Sequence, residues 1–168
     1  DLFDSVTAIG ESAFKGCNAL TEICMSPKVT AIETGTFAGC TALTEMVLPE
    51  GVTSIGADAF AGCTALTEIA LPNSVTSIGA GAFAGCTGLT QIILPCESAG
   101  VDASAFDGVP YEILCINDAA SEEQVKAWNE KLNTPWYDPI DRVSEYKTLT
   151  LMPYEETAPE DFWYDSEY

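Results

Sequence analysis

A 23-residue period restricts this chain more than any other feature. Val6, Val29, Val52 and Val75 begin four copies, and Phe14, Phe37, Phe60, Phe83 and Phe106 mark five. Self-similarity at a fixed spacing of this size is the mark of a solenoid. One unit is too small to bury its own apolar face, so it stacks on its neighbours. Columns of the alignment then become files of equivalent side chains along one axis. The Phe column predicts an aromatic file at the centre of the core, where each ring contributes a large buried area.

Each column has a physical job. Leu-Thr-Glu-Ile-Ala-Leu-Pro, residues 66–72, reads as a short strand with Leu66, Ile69 and Leu71 inward and Glu68 and Ala70 outward at period 2. Equivalent strands of successive coils are expected to pair in parallel, about 4.8 Å apart. Pro49, Pro72 and Pro95 end them, because proline cannot donate to the ladder. Val-Thr-Ser-Ile, residues 52–55, predicts a second extended run. Ala-Asp-Ala-Phe-Ala, residues 57–61, predicts a single helical turn. Gly39, Gly62 and Gly85 close that turn, where a left-handed backbone is favoured.

The string Val-Thr-Ser-Ile-Gly-x-x-Ala-Phe-Ala-Gly-Cys-Thr-x-Leu-Thr-x-Ile-x-Leu-Pro runs closely through residues 6–97 and loosely through 98–118. It resembles the BspA-like class of leucine-rich repeats. The resemblance implies an α/β, right-handed leucine-rich-repeat solenoid of about five coils, with short parallel strands and helical turns. It also implies a secreted or cell-surface bacterial host protein, of a class associated with adhesion to host matrix proteins or other cells.

Several copies depart from the pattern. Cys24, Met25 and Ser26 replace apolar-Leu-Pro in the first, and Glu33-Thr34-Gly35-Thr36 precedes Phe37 in the second. In the fifth, residues 111–116 fit the strand if the copy is one residue short. Leu2 aligns with Leu48, Leu71 and Leu94. That placement reads as a start inside a coil, with a leader and earlier coils upstream.

Beyond the repeats, Ser121-Glu122-Glu123-Gln124 is a capping box. It predicts a helix from about Ser121 to Leu132 with Val125, Trp128 and Leu132 on one face. The expected division is a solenoid over 1–118, a capping helix over 119–134 and an acidic aromatic tail over 135–168. The cap would cover an open end that otherwise exposes core and sheet edge; a partner-binding helix is the alternative. In the tail, Trp136, Tyr137, Tyr146, Tyr154, Phe162, Trp163, Tyr164 and Tyr168 alternate with acids, and residues 146–152 are a possible strand.

Charge narrows the partners. The chain has 26 acids against 6 bases, a net charge of −20. Nucleic acid and anionic membranes need a basic footprint and are poor partners. No apolar run approaches the roughly 18 residues that a membrane-spanning helix needs.

Chemistry narrows the function. There is no histidine, which removes Ser-His-Asp and Cys-His nucleophiles and every His-bearing metal site. Ser12-Ala13-Phe14-Lys15 matches Ser-x-x-Lys, but its serine column holds Gly35, Asp58 and Gly81 elsewhere. Cys17, Cys40, Cys63 and Cys86 form one column whose fifth member is Val109, which suits a buried small side chain. Equivalent Cβ atoms one coil apart exceed disulfide spacing, and a straight sulfur file is no tetrahedral zinc site. Cys24 and Cys115 fall in an outward column and Cys96 in a turn. We therefore expect no catalytic residues, no metal site and no cofactor.

The outward strand columns carry the functional expectation. Glu22, Glu45, Glu68 and Gln91 form a polar file, and Val47, Ala70 and Ile93 form an apolar stripe beside it. Stacked like charges repel unless solvated or countered, and extended solenoid faces commonly bind partners. The sequence reads as a non-enzymatic protein-binding module using that face. A structural spacer and a carbohydrate- or cation-binding module are the alternatives.

Overall fold

The computed structural model of the chain describes residues 5–97, 100–109, 114–117, 120–132 and 152–154. Two parallel ladders run through it. One is built from β1 (Ala31–Ile32), β3 (Ser54–Ile55), β5 (Ser77–Ile78) and β7 (Gly100–Val101). The other is built from β2 (Glu45–Val47), β4 (Glu68–Ala70), β6 (Gln91–Leu94), β8 (Leu114–Asn117) and β9 (Met152–Tyr154). Register follows the repeat: Glu45 lies opposite Glu68 and Ile55 opposite Ile78, each 23 residues on. At β8 the step shortens, with Ile92 opposite Leu114 and Ile93 opposite Cys115, so the fifth copy is one residue short as its sequence suggests.

The core lies between the ladders and the turns that join them. Phe37, Phe60 and Phe83 are fully buried, and successive rings from Phe14 to Phe106 stack nearly parallel with centroids 5.3–5.4 Å apart. Leu43, Leu66 and Leu89, then Met46, Ile69 and Ile92, fill the files alongside. Thr36 is wholly buried where other coils carry alanine. Its hydroxyl donates to the Glu33 carbonyl at 2.8 Å, which offsets the cost of burying it.

The expected helical turn before each Gly-Cys pair is absent. Residues 57–62 form a run of turns with divided hydrogen bonding. The N–H groups of Ala59, Ala61 and Cys63 bond back to Gly56, Asp58 and Phe60 of their own coil. Those of Asp58, Phe60 and Gly62 bond forward to Ala80, Ala82 and Ala84 of the next coil. An α-helix satisfies its donors internally; here every second donor serves the neighbour, so stacking competes with helix formation and wins. Gly39, Gly62 and Gly85 sit at φ 72–73°, the left-handed closure the sequence requires.

Helix α1 spans Glu122–Lys131. The Ser121 hydroxyl accepts from the Gln124 N–H, and the Gln124 side chain accepts from the Ser121 N–H at 2.8 Å, completing the capping box. Trp128 is fully buried. Its indole sits 6.4 Å from the Phe106 ring, tilted by 57°, and its Nε1–H donates to the Pro95 carbonyl at 2.9 Å. Gln124 Nε2 donates to Glu97. No helix among the described residues is long and apolar enough to cross a membrane.

Strand β9 joins the ladder at Met152–Tyr154, with Met152 opposite Cys115 and Pro153 opposite Ile116. Residues 146–151, the Leu2 alignment, residues 111–113 and the remaining tail aromatics lie outside the described residues.

Candidate functional site

The outer face of the second ladder is fixed by strand alternation. In β2 and β4 the middle residue is buried while both flanking residues are exposed. Glu45 and Glu68 therefore stand side by side, and Val47 stands beside Ala70. Val47 is 80% exposed, against the buried state of most large apolar side chains in the chain. Glu22 is exposed in the same column, one coil earlier. Gln91 and Ile93 are half-buried.

An open groove of about 740 Å³ runs over this face. Of the seven residues expected there, Glu45, Glu68, Val47, Ala70 and Ile93 line it, while Glu22 and Gln91 do not. Glu50 and Asn73 add to the lining and were missed because they follow the strand-ending proline, where the sequence reads as turn. Column position was the available signal: Glu50, Asn73 and Cys96 are equivalent. The Asn73 carboxamide oxygen accepts from the Cys96 N–H at 3.0 Å, so the turn of one coil is tied to the next. Among the described residues, no lysine or arginine lines the groove.

The threonines beside the acidic column are already engaged. The hydroxyls of Thr44, Thr67 and Thr90 each donate to the carbonyl of the equivalent threonine one coil earlier, at 3.0–3.3 Å. They stiffen the coil-to-coil register that holds the carboxylates in place.

The cysteine file is structural in its geometry. Cys40, Cys63 and Cys86 are buried and unbridged. Each thiol donates to a Phe carbonyl of the preceding coil at 3.0–3.2 Å: Cys40 to Phe14, Cys63 to Phe37 and Cys86 to Phe60. Burial pushes the Cys63 thiol up to about 12 and the Cys86 thiol up to about 11, so thiolate nucleophiles are strongly disfavoured there. Cys17, in the first coil, is exposed. Among the described residues no group of three metal-ligating side chains converges.

Fold and face together define a parallel-strand solenoid with a regular exposed sheet. The chain belongs to the BspA type leucine-rich repeat family, whose repeat region matches residues 1–118 in six copies. It is similar to a leucine-rich repeat protein of Bacteroides ovatus, at 34% identity and a TM-score of 0.56, over 73% of this chain and 34% of that one. It is also similar to a leucine rich cell surface protein of Faecalibacterium prausnitzii, at 48% identity and a TM-score of 0.52, over 53% of this chain and 24% of that one. The chain thus spans about a third or less of the length of these relatives. No curated protein matches it.

Proposed function

We propose that this chain is a non-enzymatic protein-binding module of a bacterial cell-surface or secreted protein, and that it works in adhesion. The observation that carries the reading is the open groove, where exposed Val47 lies beside the Glu45–Glu68 pair. Val47, Ala70 and Ile93 form an apolar strip beside polar groups on an extended solenoid face, the kind of surface such folds use for partners. The surface location of the F. prausnitzii relative supports the setting. In the same reading α1 serves as an end cap: Trp128 covers Phe106, the last ring of the file.

The test is capture of the whole chain on immobilised extracellular-matrix proteins. Binding is expected for the wild type and should weaken for the Glu45→Lys, Glu68→Lys double variant. Capture by the double variant at wild-type strength rejects this face. A cation-binding reading draws on the same Glu45–Glu68 register. It requires calcium to raise the melting midpoint, since an ion bound to the native state must stabilise it.

A further inference from the structure

The groove has a chemistry as well as a shape. Glu45 lies opposite Glu68, and Val47 lies opposite Ala70, in one unbroken register. Neighbouring strands are about 4.8 Å apart, and same-face residues along a strand are separated by roughly 6.6 Å. A pair of carboxylates therefore stands one side-chain length from a pair of apolar groups. Among the described residues, nothing basic lines the groove to neutralise that pair.

Resting on the binding-face reading above, we propose that the occupant is an extended protein segment in which arginine neighbours apolar residues. The arginine lies along the strand direction. Its guanidinium bridges Glu45 and Glu68, and its aliphatic stem covers Val47 and Ala70.

Three physical arguments favour arginine. A planar fork of donors serves two carboxylates at once, whereas the lysine ammonium is a compact point charge. The methylene stem buries apolar surface while the charged head stays at the rim. A cation between the two glutamates also removes the repulsion that their register imposes. The chain's net charge of −20 steers a basic segment towards it and repels an acidic one.

Selection of random peptides displayed on phage against the whole chain tests this directly. Enrichment of arginine beside apolar residues is expected. That enrichment should vanish with Glu45→Gln, Glu68→Gln and fall with Val47→Asn. For a selected peptide, the carboxylate double variant should raise Kd by roughly tenfold or more. Arginine-to-lysine exchange in the peptide should weaken binding, and so should added salt. Circular dichroism melting shows that the variants still fold; these side chains are exposed. Selected peptides without basic residues that are nonetheless lost on Val47→Asn would overturn the arginine assignment and leave the binding face standing. Peptides indifferent to both sets of substitutions, or no enrichment at all, would overturn both.

Discussion

At the residue scale, the repeat turns single positions into internal controls. Gly10, Gly56 and Gly79 share a column. A Cβ on Gly56 would meet the Thr34 nitrogen at 2.5 Å, and one on Gly79 the Ala57 nitrogen at 2.5 Å, but one on Gly10 would meet nothing within 4 Å. Backbone cannot yield as a flexible side chain does. Gly56→Ala and Gly79→Ala should each cost about 2 kcal/mol or more, while Gly10→Ala should stay within about 0.5 kcal/mol. Denaturant unfolding of the three variants checks this, and equal losses would contradict the coil spacing.

The thiol file gives a pH prediction. Burial raises Cys63 from 9.0 to about 12 and Cys86 to about 11. A raised pKa on an acid means the folded state holds its proton longer than the unfolded one. The associated stability is complete below about 9 and is lost as pH rises towards 11–12. The unfolding midpoint should therefore fall in that window. Cys63→Val should reduce the slope, because Val109 already occupies this column in the last coil. Comparing the two slopes isolates the contribution of the Cys63 thiol. The sequence disclosed this file through its spacing and the Val109 replacement. It did not disclose that each thiol donates to a Phe carbonyl, because that partner lies 26 residues back and only stacking brings it close.

At the element scale, strand alternation was legible and the turns were not. Ile69 is buried between exposed Glu68 and Ala70, as period 2 requires. Ala-Asp-Ala-Phe-Ala has the composition of a helix, yet its donors alternate between its own coil and the next. No local pattern encodes that division. The half-buried state of Gln91 and Ile93 was hidden too, since the repeat pattern assigns their columns to the outer face in every copy. Helix α1 carries its own start signal and could be read without the stack. Its contribution rests on Trp128, which joins the aromatic file and bonds Pro95. Trp128→Ala should destabilise by about 3–5 kcal/mol, and Ser121→Ala by about 1 kcal/mol through loss of the cap. Trp128→Phe should fall between wild type and Trp128→Ala, since it keeps a ring and forfeits the indole bond. Calorimetric midpoints that rank these three variants differently would dissociate the helix from the coils.

At the scale of the whole molecule, the described stack is asymmetric. Towards its C-terminal side the Phe file ends under a buried tryptophan, and β8 is paired by β9. A strand ending at Met152 is readable as possible, but its pairing with β8 is not, since Met152 lies 37 residues beyond its partner Cys115 and belongs to no repeat. The first coil is different. Phe14 is only partly buried and Cys17 is exposed, while their equivalents Phe60 and Cys63 are fully buried. In a solenoid each coil is stabilised by its neighbours, and the Phe14 coil as described loses less burial on opening than the Phe60 coil. Local opening should begin there, because opening free energy scales with the burial lost. Native-state hydrogen exchange tests this through equivalent bonds. The Gly16 N–H donates to Ala38 at 2.8 Å, and the Gly62 N–H donates to Ala84 at 2.8 Å. Equal bonds predict equal protection if the stack opens as one unit; unequal coverage predicts faster exchange at Gly16, with Gly39 between. A binding partner on β2 and β4 should slow exchange at Thr67, whose N–H bonds Thr44, far more than at Gly16. Uniform exchange along the Gly column would show instead that the coils are coupled too tightly for one of them to open alone.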